Sequence, residues 1–334
     1  MTHPKLAVAK SGFGGRGYGI PGRTRPSPST GKPLQLIYPA VTTVLKQINK
    51  PGLHQWIADQ TAAKAVVSLS YLQGCEEDVG YGALRFFWSR TPDITGTDVR
   101  EYYKGVVQDA AELGTNIHEW AEADIDGLAE YPELMSIESH EMVEAWIEWH
   151  SHHTVISHNQ EFTIVNDTLG IAGTADGDWS IRCDHPGPTC LGQEADEFVR
   201  TLVDLKSARN TWNDHGYQLA ALASAEVIMR EVVESHPDAM KAQKTEDGKK
   251  VISFWVEDAP PAWERYALLH IRPDDVDTQG NTIPRFCILK DKTDDMDLFR
   301  TGFEGALALT KTEAELKSRA KARTKERRSN NGTS

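Results

Sequence analysis

The sequence predicts a mixed α/β protein of the α+β kind, and three patterns along the chain support this fold class. Helical patterns prevail between about residues 38 and 150. From about residue 155, short apolar segments with β-branched residues and interspersed glycines indicate strands. A helix follows the third of these segments, and more strands precede a long C-terminal helix. We therefore expect the order helix, three strands, helix and further strands, with an N-terminal helical part packed against it.

The elements of the first half follow from sequence breaks and caps. Residues 1–37 are rich in Gly, Pro and Arg, so we expect a flexible basic arm of loop or extended chain. The segment Tyr38-Pro-Ala-Val-Thr-Thr-Val-Leu45 is expected to start a helix, with Thr42 or Thr43 as its N-cap. Further helices are predicted over residues 53–71, 97–128 and 134–150.

The second half is expected to form the sheet. Strands are predicted over residues 161–165, 170–181, 198–205, 251–256 and 266–271. The glycines of the second of these segments suit a twisted or bulged strand. One helix is predicted between the third and fourth strands, over residues 212–233, and another over residues 294–322.

The formal net charge of −13 is unfavourable for binding DNA, but the charge is unevenly distributed. Residues 1–58 contain eight Lys or Arg and no acid, and residues 317–334 contain seven Lys or Arg against one Glu. The acids are concentrated in the middle of the chain. Basic ends can contact phosphates while an acidic centre holds a cation; the alternative is that both ends are merely solvated.

Composition also bears on the compartment. No run of about 18 apolar residues is present, so no membrane-spanning helix is expected, and the N-terminal apolar stretch is too short for a secretory signal. The four cysteines are too few and too scattered for a disulfide framework, which favours a reducing, cytoplasmic location. An alternative zinc site of unusual spacing comprises Cys183, Asp184, His185 and Cys190.

The strongest chemical signal is Asp204-Leu-Lys206, at the end of an apolar predicted strand. Two residues apart on a strand, both side chains point to the same face. There the carboxylate can bind a divalent cation, and the ammonium can hold or deprotonate an attacking water. The same spacing recurs only in polar contexts, at Asp247–Lys249 and Glu315–Lys317.

A second carboxylate is expected beside the first. Asp176 lies in the preceding predicted strand, where neighbouring glycines let it approach Asp204 without steric cost. Two converging carboxylates repel each other unless a cation lies between them, and hard oxygen ligands suit Mg²⁺ or Mn²⁺. Asp178 is a rival or helper on the same face, and a turn-forming Asp-Gly pair is the structural alternative.

Two further residues complete the predicted site, each with a structural alternative. His118 lies on a predicted helix with an apolar flank, where it could be a core histidine. Gln218 falls early in the helix after the Asp204 strand, so its amide can reach the site, although an ordinary amphipathic-helix residue is the alternative. Four histidines near a predicted helix end are interpreted as structural: His150, His152, His153 and His158.

Together these motifs resemble the RecB-like branch of the PD-(D/E)XK nucleases. They occur in one order along the chain: Gly-Thr-x-x-His ending at His118, Gly-Thr-x-Asp ending at Asp176, Asp-x-Lys from Asp204 to Lys206, and Gln218. Within that branch the chain is similar to phage-encoded relatives of the CRISPR-associated single-strand DNA exonucleases. Residues 38–45 also resemble the N-terminal opening of those phage proteins, and the resemblance covers roughly residues 36–225.

The resemblance implies a restriction-endonuclease-like core with a Mg²⁺ or Mn²⁺ site. The implied ligands are His118, Asp176, Asp204 and the Leu205 carbonyl. Lys206 would position the water or stabilise the developing charge, and Gln218 would orient the lysine or contact DNA. Glu161 matches a position where relatives often have an acid. The domains expected on this basis are a basic arm (1–37), a helical part (38–150), a nuclease core (151–310) and a basic C-terminal helix end and tail (311–334).

The resemblance also implies a metal-dependent DNA exonuclease that acts in phage DNA recombination, replication or repair, in the host cytoplasm. Its expected partners are DNA that is single-stranded or has free ends, and a recombinase or single-strand annealing protein. The alternatives are a structure-specific or non-specific endonuclease and a catalytically idle DNA-binding partner of a recombinase. At two places the sequence departs from the family's pattern, so the family's properties are not expected there. Leu222 stands where a Tyr is common, and only Cys287 follows the core, so no iron–sulfur cluster is expected.

Overall fold

A computed structural model of the chain describes residues 8–10, 15–27, 30–48, 96–129, 136–184, 197–207, 210–235, 243–244, 250–276 and 282–331. The chain divides into two compact units, one formed by residues 1–48 and 118–334 and the other by residues 49–117. The sheets and the candidate site belong to the first unit. The helix predicted over residues 53–71 lies outside the described residues.

The helices of the described residues are α1 (Val41–Val44), α2 (Gly96–Ile125), α3 (Ile137–Ser151), α4 (Asn213–Ala223) and α5 (Met296–Asn331), with short 3-10 helices at Leu45–Gln47 and Thr293–Asp295. The strands are β1 (Val8–Lys10), β2 (Arg16–Pro26), β3 (Pro33–Pro39), β4 (His153–Asn166), β5 (Ile171–Cys183), β6 (Val199–Lys206), β7 (Val227–Ser235), β8 (Gln243–Lys244), β9 (Lys250–Asp258), β10 (Arg265–Arg272), β11 (Asp275–Val276), β12 (Thr282–Ile283) and β13 (Phe286–Asp291). Among these helices, none combines the length and the apolar character needed to cross a membrane.

The main sheet has eight strands in the order β13-β10-β6-β5-β4-β7-β9-β8. Strand β10 runs parallel to β6, and every other neighbouring pair is antiparallel. The parallel pair needs a crossover, which includes α4 and brings the chain back to the far side of β6. This mostly antiparallel sheet with its helices confirms the predicted mixed α/β class.

Two layers of side chains bury the centre of the sheet. Helices α4 and α5 contribute Leu219, Leu222, Phe303 and Leu307 to one cluster, which also contains Leu202 of β6. Helix α3 places Trp146 against Trp179 of β5, with ring centroids 6.2 Å apart. Each fully buried side chain of this size stabilises the fold by roughly 1.5–3 kcal/mol. Strands β5 and β6 are therefore held between packed layers.

The long periodic segments were predicted correctly. Helices α2 and α3 confirm the predictions over residues 97–128 and 134–150, and α5 confirms and extends the one over residues 294–322. The Ser136 hydroxyl accepts a hydrogen bond from the Ser139 amide and so caps α3. The five predicted strands correspond to β4, β5, β6, β9 and β10.

The helix predicted over residues 212–233 is wrong in its second half. Helix α4 ends at Ala223, and β7 begins at Val227. Strand β7 is rich in β-branched residues and pairs with both β4 and β9, so its backbone hydrogen bonds are made across the sheet. Pairing with distant strands thus outweighs the helical pattern of this segment. Strand β13 was not predicted at all.

The basic arm predicted over residues 1–37 is also wrong for the described residues, which form an antiparallel three-stranded sheet, β1-β2-β3. Its apolar side chains Tyr18 and Ile20 pack on Val165 and Met229 of the main sheet, which explains why a glycine-rich segment is ordered as strands. The predicted N-cap is wrong as well: α1 follows Ala40, and no side chain caps it.

Candidate metal centre

The predicted site residues come from four elements of the first unit. Asp176 lies in β5, and Asp204, Leu205 and Lys206 end β6. Gly177 pairs with Val203, and continuing that antiparallel register by one residue places Asp176 across from Asp204. Helix α2 carries His118, and α4, which follows β6, carries Gln218.

The Lys206 ammonium lies 2.5 Å from Asp204 Oδ2 and donates a hydrogen bond to the Leu205 carbonyl oxygen at 3.1 Å. Gln218 Nε2 donates to Asp204 Oδ1 at 3.1 Å. The prediction that the Gln218 amide reaches back to the Asp204 strand is therefore confirmed. Both oxygens of the Asp204 carboxylate are held by side chains of the predicted site.

Asp176 is oriented by the neighbouring strand and faces His118. Its Oδ2 accepts a hydrogen bond from the Leu205 backbone amide at 2.6 Å, and its Oδ1 lies 3.9 Å from His118 Nδ1. The structure thus brings together the predicted residues that lie far apart in the sequence. Their chemical roles stay a prediction.

Glu161, which the sequence ranked second to the motif residues, lies close to two of them. Ligand atoms of His118, Glu161 and Asp176 lie within 4.8 Å of one another. Glu161 lies in β4 between Gln160 and Phe162, which pair with the residues on either side of Asp176. The sequence signal for Glu161 was the resemblance described above, which implies an acid at this position.

The backbone of Glu161 is unusual. Its φ of 45° lies in the left-handed region, which costs a non-glycine residue of order 1 kcal/mol or more. Such conformations persist where the surrounding structure holds them, and they cluster at binding and active sites. Together with the position of its carboxylate, this strain makes Glu161 a candidate ligand.

The predicted ligand set is brought together only in part. Asp204 is not in the three-residue cluster, and Lys206 contacts both its Oδ2 and the Leu205 carbonyl oxygen. A carbonyl oxygen has two lone pairs, so the Leu205 oxygen can accept a second partner. His118, Glu161 and Asp176 therefore form the cluster that the geometry favours.

Three charged groups of the site have shifted pKa values. Burial raises the pKa of Asp204 to about 6, and the negative charge of Asp176 adds to the rise. Burial likewise raises the pKa of Asp176 to about 6, with a further contribution from Glu161. Although burial lowers it, the two aspartates raise the pKa of Lys206 above its ordinary value.

These residues fit a divalent cation. Asp176 lies beside both Asp204 and Glu161, and the ammonium of the partly buried Lys206 is paired with Asp204. A bound cation would offset the burial that raises the pKa of both aspartates. Carboxylate oxygens are suitable ligands for Mg²⁺ or Mn²⁺, and an imidazole nitrogen among them favours the transition metal Mn²⁺ over Mg²⁺. The donor set is therefore consistent with the predicted metals.

Asp178, the rival to Asp176, has a structural environment. It is fully buried, and its oxygens accept hydrogen bonds from Arg200 at 2.9 and 3.0 Å, from Trp263 Nε1 at 3.0 Å and from Asn159 at 2.9 Å. Asp178 is thus paired with a guanidinium and bound by two further donors, and it lies outside the cluster of His118, Glu161 and Asp176. The structure therefore favours Asp176.

The other histidine and cysteine candidates also have structural partners. His150 Nδ1 lies 2.6 Å from Asp124 Oδ2, and His153 Nδ1 lies 2.7 Å from the Trp149 carbonyl oxygen, which supports the structural interpretation of these histidines. Cys183 is disulfide-bonded, so it is not the free thiolate that a zinc site would require. Cys190 and His185 lie outside the described residues.

Neither a comparison with models of known protein families nor a comparison with curated protein sequences gives a match for this chain.

The raised pKa values predict how metal-free stability depends on pH. Asp176 and Asp204 have a folded pKa of about 6, above the ordinary value of 3.8, so their contribution to stability falls as pH rises from about 4 to about 7. His153, whose pKa is lowered by burial, contributes with the opposite sign. We therefore expect the stability lost between pH 5 and pH 7.5 to be greater in the wild type than in Asp176→Asn, where His153 is unchanged.

Chemical denaturation at both pH values, with a chelator present, measures this difference. Added Mn²⁺ should raise the melting temperature of the wild type more at pH 7.5 than at pH 5, because metal ligands must be deprotonated. If stability depends on pH equally in wild type and Asp176→Asn, the pKa of the Asp176 carboxyl is not raised by its surroundings.

Proposed function

We propose that this protein is a metal-dependent DNA nuclease of the PD-(D/E)XK superfamily, in its RecB-like branch, and that it acts as an exonuclease. The observation that carries the proposal is the pairing of Asp176 with Asp204 and Lys206 on adjacent strands, with Gln218 bonded to Asp204. The partly buried Lys206 is paired with Asp204 at the end of an apolar strand, beside the carboxylate of Asp176. Such an arrangement can hold a cation and a water for hydrolysis of a phosphodiester.

The topology supports this class. Strands β4, β5 and β6 form an antiparallel meander, α4 follows, and β10 returns parallel to β6. With α2 supplying His118, this order matches the helix, three strands, helix and strand that the resemblance implies for the nuclease core. The catalytic residues then come from the two central strands.

The cation would be held by His118, Asp176, Glu161, Asp204 and the Leu205 carbonyl. When bound, it would neutralise the scissile phosphate, lower the pKa of a bound water and support the leaving oxygen. Lys206 would hold the attacking water or stabilise the charge that develops on the phosphate. Gln218 would keep the Asp204 carboxylate oriented through the 3.1 Å hydrogen bond.

The electrostatics of the chain ends fit a nucleic-acid substrate. Basic residues are concentrated in residues 1–58 and 317–334, and the acids that would hold the cation lie between them. Binding through phosphates should weaken with salt and show little sequence preference. The proposed setting is phage DNA recombination, replication or repair in the host cytoplasm, with a recombinase or annealing protein as partner.

A comparison of wild type with Lys206→Ala tests the proposal. With Mg²⁺ or Mn²⁺ and end-labelled single- and double-stranded DNA, we expect cleavage to fall by roughly 10²–10³-fold in the variant. Lys311→Ala is the matched control, since Lys311 is an exposed lysine bonded to the Leu169 carbonyl, away from the site. It should cleave at the wild-type rate.

The products distinguish the alternatives. Mononucleotides released from one labelled end indicate an exonuclease and give its polarity, whereas cuts in circular single-stranded DNA indicate an endonuclease. If the wild type binds DNA without cutting it, the idle-partner alternative is correct. If it neither binds nor cuts, the nuclease assignment is wrong.

A further inference from the structure

An open cavity of about 200 Å³ adjoins the candidate metal centre. Glu161, Asp176 and Gln218 line it from the main sheet and α4, and Arg16 and Thr42 line it from β2 and α1. Resting on the proposed function, we infer that this cavity binds the nucleotide next to the scissile phosphate in an unpaired DNA strand, with Arg16 holding its phosphodiester.

The backbone of Arg16 is fixed at the edge of the cavity. Its carbonyl oxygen accepts hydrogen bonds from the Thr43 hydroxyl at 2.8 Å and from the Ala40 amide at 3.0 Å. A Cβ atom at Gly15 would lie 2.6 Å from the Thr43 side chain, so the close approach of β2 to α1 requires glycine there. Arg16 is therefore anchored rather than carried on a free arm.

The N-terminal sheet is in turn attached to the strand that carries Asp176. The Tyr18 hydroxyl is hydrogen-bonded to Thr174 Oγ1 at 3.1 Å, and Ala40 bridges Ala172 of β5. Tyr18 is buried and also lines the cavity. The spacing between the Arg16 segment and the metal centre is thus set by direct contacts with β5.

The charges on the cavity select a phosphodiester. Within the described part of the chain, Arg16 has no acidic partner, whereas Arg23 of the same strand is paired with Asp167 and Glu257. A guanidinium recognises phosphate through paired hydrogen bonds. The acids of the cavity would repel a phosphate unless a cation neutralised them. One phosphate of the strand would therefore lie at the cation, and the next would lie at the Arg16 guanidinium.

The size of the cavity selects an unpaired strand. Binding sites for drug-sized ligands have volumes of about 300–1,000 Å³, and this cavity is smaller. It admits the sugar and phosphate of one nucleotide, or its base, but not a base pair. A duplex end would have to separate before its strand could enter.

Arg16→Gln tests the inference, with Arg25→Gln as the matched control. Arg25 is an exposed arginine of the same strand that does not line the cavity. We expect Arg16→Gln to raise the KM for single-stranded DNA about tenfold with a smaller change in kcat. In a Lys206→Ala background with Mn²⁺, Arg16→Gln should also make the negative slope of log affinity against log salt shallower by about 0.7. This is the value for one lost phosphate contact on a single strand.

Further variants separate this inference from the proposed function. Arg16→Lys, which keeps the positive charge, should restore most of the salt slope. Thr42→Trp, at an exposed position of the cavity wall, should block single-stranded DNA while leaving Mn²⁺ binding unchanged. A wild type that cuts DNA, with Arg16→Gln and Arg25→Gln unchanged in KM and salt slope, would overturn the subsite alone. A wild type that binds Mn²⁺ but not DNA would overturn both.

Discussion

Replacing Asp204 with asparagine is expected to lower DNA cleavage by roughly 10²–10³-fold. The neutral amide cannot balance the Lys206 ammonium, which lies 2.5 Å from Asp204 Oδ2, and cannot contribute a charge to cation binding. Gln218 retains an acceptor at this position, so the local packing should persist. Initial rates on end-labelled DNA with Mn²⁺ measure the loss of activity.

Asp204→Asn has two opposing effects on the stability of the metal-free protein. It removes a carboxylate whose pKa burial raises to about 6, and it leaves the Lys206 ammonium without the oxygen that lies 2.5 Å from it. Urea denaturation in the presence of a chelator measures the balance of the two.

A stability loss together with an unchanged cleavage rate would show that Asp204 serves the fold rather than the reaction. Asp176→Asn offers a second test of the same idea. This replacement should also lower cleavage. It should stabilise the metal-free protein at pH 7, because burial raises the pKa of the Asp176 carboxyl to about 6 and Lys206 keeps Asp204 as its partner.

Replacing Asp178 with asparagine is expected to have the opposite effect, destabilising the fold by roughly 2–4 kcal/mol. The fully buried Asp178 carboxylate accepts hydrogen bonds from Arg200, Trp263 and Asn159. The amide supplies only one acceptor oxygen and turns an NH₂ group towards these donors. Arg200 is partly exposed, so its charge remains hydrated, which keeps the loss below that of a wholly buried ion pair.

Cleavage per folded molecule should remain within about twofold of wild type in Asp178→Asn, because these partners lie outside the cation cluster. The shift of melting temperature with Mn²⁺ should also match that of wild type. Urea denaturation and a metal titration of the folded variant check both statements. Loss of Mn²⁺ binding in a folded Asp178→Asn protein would place Asp178 in the site after all.

The two aspartates of β5 thus form an internal comparison. Asp176 and Asp178 are two residues apart on one strand, yet their replacements should change stability in opposite directions. The sequence pattern alone left the choice between them open. Their partners decide it, since Asp176 faces His118 while Asp178 is bound by Arg200 and Trp263.

Local patterns were sufficient for the parts of the fold whose periodicity is long and regular. Helices α2, α3 and α5 and strands β4 to β6 could be predicted because their apolar spacing matches one period over many residues. The juxtaposition of Asp204 and Lys206 was predictable for the same reason, since two residues apart on a strand place both side chains on one face.

Contacts between distant segments decided the rest. The sequence of β7 predicts a helix, but its backbone hydrogen bonds are made with β4 and β9. The glycine-rich residues of β2 form a strand whose Tyr18 packs on the main sheet. Glu161 acquires its place beside Asp176 from the pairing of β4 with β5 and from a left-handed backbone that no local pattern indicates. Each of these features depends on atoms far apart along the chain, so only the folded structure could specify it.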